Sequence, residues 1–159
     1  MRYWLLLVMM AGLAFSQPRA QDVIGWDRIA WGMTIAEARS IYPAATGAGN
    51  RERLTLEPVL IGDLTLNVTV SAGNDSDRIS RVELSNPDAG ARKFDRLKVL
   101  LIQKYGAPIN ESTKIEDANT SVTTLIWTFP STAILLTLRQ GRGIYLEYTA
   151  IDKDALNLL

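Results

Sequence analysis

Residues 94–108, FDRLKVLLIQKYGAP, constrain the fold of this chain most, because their apolar spacing and their stop signals agree. Phe94, Leu97, Leu101 and Tyr105 recur at three- and four-residue intervals, the spacing of one helical face. Val99, Leu100 and Ile102 widen that stripe until most of the last two turns are apolar. A helix of this composition predicts burial on more than one side. Lys104 stands in the last turn, where a cation complements the carbonyl end, Gly106 occupies the position of a left-handed cap, and Pro108 forbids continuation. Upstream, Asn86-Pro87-Asp88 reads as the opening of the same helix, with asparagine as its cap and proline at its first position.

Around this helix the pattern predicts one other helix and six strands. Residues 21–30 read as a short extended segment. Thr34 with Glu37 three residues on is a capping box, and it predicts a helix from Ile35 to about Tyr42 that Pro43 ends. Residues 54–60 form a weak strand that Pro58 confines to a sheet edge. In residues 64–71, Leu64, Leu66, Val68 and Val70 alternate with polar neighbours, as in a sheet with one buried and one wet face. Residues 73–77 turn the chain and residues 78–84 return it. Residues 110–120 read as a polar loop. Strands follow at 121–129, 132–139 and 144–150, joined by turns at Pro130-Ser131 and Gly141-Arg142-Gly143.

Turn lengths set a register for these last strands. A two-residue turn at Pro130-Ser131 places Leu125 against Leu136 and Trp127 against Ile134. A three-residue turn with Gly143 in the left-handed position places Leu136 against Tyr148 and Leu138 against Leu146. The opposite face then collects Thr124, Thr128, Thr137, Glu147 and Thr149, with Ile126, Leu135 and Tyr145 as a small apolar patch among them. Such a patch marks a partner surface, unless residues 54–60 or 152–159 cover it. The fold class expected is α+β, an antiparallel sheet with helices packed on one face, in two similar α-β-β-β halves. Residues 21–151 form the single domain and residues 152–159 a tail.

The first residues are read separately from the domain. Arg2 precedes an apolar run of 12 residues, 4–15, too short for a membrane span of about 20 residues. Ala14-Phe15-Ser16 offers the small residues of a signal-peptidase site, so residues 1–16, or alternatively 1–20, read as a cleaved secretory signal. Removing 1–16 leaves 16 basic against 17 acidic groups, scattered rather than clustered, which argues against a nucleic-acid partner. A secreted chain without cysteine points to a bacterial periplasm.

The available chemistry is narrow. With no histidine and no cysteine there is no Ser-His-Asp triad, no cysteine nucleophile and no zinc site of the ordinary kind. Glu83 with Glu147 is the one carboxylate pair to weigh for glycoside hydrolysis, and two solvated strand positions is the simpler account. Asn74, Asp75, Ser76 and Asp77 lack the glycine and distal glutamate of a calcium loop and read as a polar turn. Trp26, Trp31 and Tyr145 are aromatics suited to stacking on sugar or peptide, with Trp31 more readily a core plug beside a helix start. No catalytic residue, cofactor or metal is expected.

Two motifs carry a resemblance. Trp31-Gly32-Met33-Thr34 followed by Glu37-Ala38, and Lys104-Tyr105-Gly106 with Pro108, Trp127 and the 134–148 hairpin, are similar to a broad group of uncharacterised secreted bacterial proteins. More distantly the chain resembles the small outer-membrane assembly lipoproteins and the beta-lactamase-inhibitor-like domains, which act by binding other proteins. It departs from the first in lacking a lipobox cysteine and from the second in lacking disulfides. The resemblance implies binding to other proteins and carries no function onto particular residues. With the strand register, which supplies Ile126, Leu135 and Tyr145 as the surface, the function expected is a non-enzymatic periplasmic domain that binds an envelope protein, of inhibitor, immunity or assembly type. The alternative is a small-ligand or glycan-binding module built on the aromatics.

Overall fold

The computed structural model describes residues 21–47, 53–73, 76–117 and 120–151, so the signal assigned to residues 1–16 or 1–20 and the tail 152–159 lie outside the described residues. A two-residue ribbon comes first, β1 (Gly25–Trp26) against β2 (Ile29–Ala30). Helix α1 (Ile35–Ile41) opens with the capping box as expected. The Glu37 amide donates to Thr34 Oγ1 at 3.2 Å and the Thr34 amide donates to Glu37 Oε2 at 2.7 Å. Next come strands β3 (Arg53–Ile61), β4 (Leu64–Ala72) and β5 (Ile79–Asn86), then helix α2 (Ala91–Tyr105). Strands β6 (Asn110–Asp117), β7 (Thr120–Thr128), β8 (Thr132–Arg139) and β9 (Gly143–Ala150) complete the chain.

The fold class expected from sequence is wrong. Strands hold 54% of the described residues and helices 18%. β3 to β9 make one antiparallel seven-stranded sheet in the order β3-β4-β5-β9-β8-β7-β6. The protein is mainly β, and its halves differ, because strands form in two segments beyond the six expected. Residues 21–30 contain a ribbon, and residues 110–120 contain β6 instead of a loop. β6 is a polar edge strand whose residues from Asn110 to Glu116 are all exposed. Pairing with β7 along residues 110–117 holds it, not burial of a face, so no hydrophobic alternation marks it.

The sheet does not serve as a flat floor for a helical layer. Laid flat, seven strands about 4.8 Å apart would span roughly 29 Å, whereas a helix with its side chains is about 10–12 Å across. Yet both sides of the sheet reach one turn of α2. From the β3–β4 turn, Asp63 pairs with Arg96, and a Cβ on Gly62 would stand 3.5 Å from Leu100 Cδ1. From the opposite edge, Glu111 on β6 accepts from Lys98 Nζ at 2.6 and 2.8 Å. The sheet therefore curls around α2. Its concave face carries Leu66, Val68, Leu84, Leu125, Ile134, Leu136 and Leu146, all fully buried, and they share one core with Phe94, Leu97 and Leu101.

Several local expectations hold and others shift. Pro58 lies on edge strand β3, where the register slips between Leu56 and Val59 to absorb it. Leu125 pairs with Leu136 and Trp127 with Ile134, as the two-residue turn requires. The second hairpin is displaced by two residues: Leu136 pairs with Leu146 and Leu138 with Ile144. The helix starts later than its sequence signal, because Asn86 ends β5. Its Nδ2 donates to the Thr65 carbonyl at 2.8 Å and its Oδ1 accepts from the Asp88 amide at 2.9 Å, which leaves Gly90 as an uncapped helix start. Val99 and Leu100 are 53% and 38% exposed, so α2 is buried along one stripe only.

Candidate functional site

The convex face of the sheet carries the residues Ile126, Leu135 and Tyr145 that the sequence singles out. Odd- and even-numbered side chains alternate between faces, and the slip of two residues in the β8–β9 hairpin keeps that parity. One row across the sheet therefore reads Thr69, Glu83, Glu147, Leu135, Ile126 and Asn110, each directly opposite the next. The neighbouring row reads Asn67, Ser85, Tyr145, Thr137, Thr124 and Ser112. Among the described residues, no hydrogen bond or ion pair joins α1, α2 or the ribbon to a side chain of these rows.

Ile126 and Leu135 are direct cross-strand neighbours, as sequence places them. Tyr145 is one row away, opposite Thr137 and Ser85, and its hydroxyl donates to the Arg142 carbonyl at 3.0 Å. All three are half-buried. The apolar patch is thus a pair with a tyrosine on its diagonal, set within hydroxyl-bearing neighbours.

Glu83 and Glu147 stand directly opposite each other on β5 and β9, a feature that sequence only suggests. Like charges in this arrangement destabilise a sheet. Glu147 is compensated by Arg81 Nε at 3.5 Å and by the Thr149 hydroxyl at 2.8 Å. Glu83 is half-buried and has no hydrogen bond or ion pair with any described residue. No group of three or more carboxylates that could hold a metal ion occurs among the described residues. Of the polar turn at 74–77, Asn74 and Asp75 lie outside the described residues, and Ser76 Oγ accepts from the Arg78 amide at 2.9 Å.

The second surface is a cleft on the concave side, between the last turn of α2 and edge strand β3. A cavity of about 560 Å³ lies among Trp26, Val59, Ile61, Lys104 and Tyr105. A second of about 340 Å³ adjoins it toward Tyr42 and Pro58, and the two share Trp26, Asp27 and Val59. Trp31, by contrast, is a structural plug. Its Nε1 donates at 2.6 Å to Thr132 Oγ1, a fully buried hydroxyl that donates in turn to the Val23 carbonyl. Beneath the cleft, burial and then the neighbouring Tyr105 hydroxyl, 3.3 Å away, push the Tyr148 phenol far above its ordinary range, so it stays protonated.

Sequence singled out Trp26 as an aromatic. It could not supply the cleft, whose walls come from β3 and α2, more than thirty and seventy residues further on. The chain matches no protein-family model, no curated protein and no solved structure.

Proposed function

We propose that this is a non-enzymatic periplasmic domain that binds an envelope protein through the convex face of its sheet, around Ile126, Leu135 and Tyr145. The observation that carries the reading is the row Glu83, Glu147, Leu135, Ile126. Two facing carboxylates, of which Glu147 is paired with Arg81 and Glu83 has no described partner, lie beside an apolar pair across four adjacent strands, on a face to which no hydrogen bond or ion pair ties α1, α2 or the ribbon among the described residues. A partner that sets a basic side chain beside an apolar one relieves the like-charge repulsion and removes the apolar pair from water in the same contact. The surface suffices in area: seven strands of about eight residues present roughly 29 by 26 Å, near the 800 Å² per partner of an ordinary protein interface. The periplasmic setting rests on the apolar run at residues 4–15 and the absence of cysteine.

Site-specific photocrosslinking in the intact envelope tests the surface. A photoreactive residue in place of Thr137, which lies between Tyr145 and Thr124, should give one discrete adduct. Leu135→Ser with Tyr145→Ser should abolish that adduct without lowering the melting temperature. An adduct unchanged by the double substitution, or no adduct, overturns the reading.

A further inference from the structure

We infer that the cleft at Trp26 is a second binding site, for an uncharged oligosaccharide, with the indole as the platform for a sugar ring. It stands apart from the convex face and does not depend on the partner reading. Trp26 stands where the two cavities meet, so a chain of rings can pass over it in a way that a single small molecule does not need. The combined space lies within the range of ordinary ligand sites, roughly 300–1,000 Å³.

The indole is held in place by a constrained frame. Trp26 pairs with the buried Ile29 across a ribbon so tight that a Cβ on Gly25 would lie 1.9 Å from the Ile29 carbonyl oxygen. Asp27 turns the ribbon with φ at 50°, a left-handed conformation that costs a non-glycine residue free energy. The Tyr42 hydroxyl fixes its carboxylate, donating at 2.6 Å, and the Arg28 guanidinium lies 4.6 Å over the Tyr42 ring. Burial and then Asp27 raise the Tyr42 phenol above its ordinary range, which keeps it a donor. The strain and the clamp together fix the turn that carries Trp26 at the lining of both cavities.

The chemistry of the rim selects the ligand class. Of the three indoles described, Trp31 donates to Thr132 and Trp127 donates to the Gly106 carbonyl at 2.8 Å. The Trp26 N–H donates to no described residue and is left for a ligand acceptor. Across the two cavities Gln21, Asp22, Asp27 and Glu57 supply amide and carboxylate groups, with both Asp22 oxygens bonded to Ser131, against two cations, Lys104 and Arg28. That balance disfavours phosphate or carboxylate ligands. An acyl chain is a poor fit too, because its burial would be incomplete in a cleft open along its length. A ring with one apolar face and a hydroxylated edge satisfies both the indole and the polar rim.

The test uses the intact protein with nitrogen-15 label and observes its indole N–H resonances during titration with millimolar cellotetraose, maltotetraose and chitotetraose, and with octanoate. At least one oligosaccharide should shift the Trp26 resonance saturably, while those of Trp31 and Trp127 stay in place. Trp26→Phe, followed through the backbone amide resonances of Asp27 and Lys104, should weaken that binding at least tenfold and leave the fold intact, and Leu135→Ser should not change it. If no oligosaccharide moves the Trp26 signal, or octanoate alone moves it, the assignment is overturned. Because Leu135→Ser reports on the convex face, loss of one site leaves the other measurable.

Discussion

Gly143 offers the sharpest test of how this sheet is joined. Its φ is 99°, and a Cβ there would lie 2.2 Å from the Asn86 carbonyl oxygen and 2.4 Å from Pro87 Cα, where ordinary contact begins at 3.4 Å. Asn86 cannot withdraw, since its side chain is tied to Thr65 on one side and to Asp88 on the other. Gly141, two residues earlier in the same hairpin, has φ at 76° with nothing within 4 Å of an added Cβ. Gly141→Ala therefore carries only the left-handed penalty, about 1–2 kcal/mol. Gly143→Ala adds an overpacking cost of about 1–3 kcal/mol, for roughly 2–5 kcal/mol in total. At about 4 °C per kcal/mol for a domain of this size, the melting temperature should fall by roughly 4–8 °C in the first variant and 8–20 °C in the second. Urea unfolding of both variants gives the same comparison without heating. Equal losses, within about 0.5 kcal/mol, would refute the close approach of the β5 end to β9 and the register that depends on it.

Two further outcomes follow from charges on the surface. Glu83→Gln removes a like charge opposite Glu147 and should stabilise the free protein by roughly 0.2–1 kcal/mol, a gain that shrinks in 1 M salt, where screening acts over about 3 Å. A loss of stability at low salt would show that the two carboxylates do not repel. At α1, hydrogen bonds from the Thr34 amide and then the Thr34 hydroxyl hold the Glu37 carboxyl below the ordinary glutamate range. A depressed folded value means that this contribution is complete above the unfolded value and is lost as pH falls through the folded one. Glu37→Gln keeps an acceptor for the cap but not the charge. Its melting temperature should trail the unmodified protein at neutral pH, and the gap should close on acidification; a constant gap argues against the charged cap.

Much of the concave core was legible because it depends on local periodicity. Leu64, Leu66, Val68 and Val70 are buried as their alternation requires, and Phe94, Leu97 and Leu101 form the buried stripe of α2. The capping box, the edge position of Pro58 and the register at Pro130-Ser131 were equally readable, since each is set by residues a few positions apart. Ile126 and Leu135 meet as placed, whereas the position of Tyr145 depended on the second hairpin.

What sequence by itself determined is which side chains face the core, because a period of two or 3.6 is written in neighbouring residues. It could not determine the β8–β9 register, since a slip of two residues returns every side chain to the same face and leaves the pattern unchanged. There Gly143, pressed against Asn86, marks the pairing that formed. Nor could it reveal β6, a polar strand held by backbone bonds to β7, or the curl that brings Asp63 and Glu111 to the same turn of α2. Those features arise from pairing and closure between distant segments. Only the tertiary structure therefore decided that the protein is a curled, mainly β domain, that Glu83 faces Glu147, and that Trp26 stands where two cavities meet.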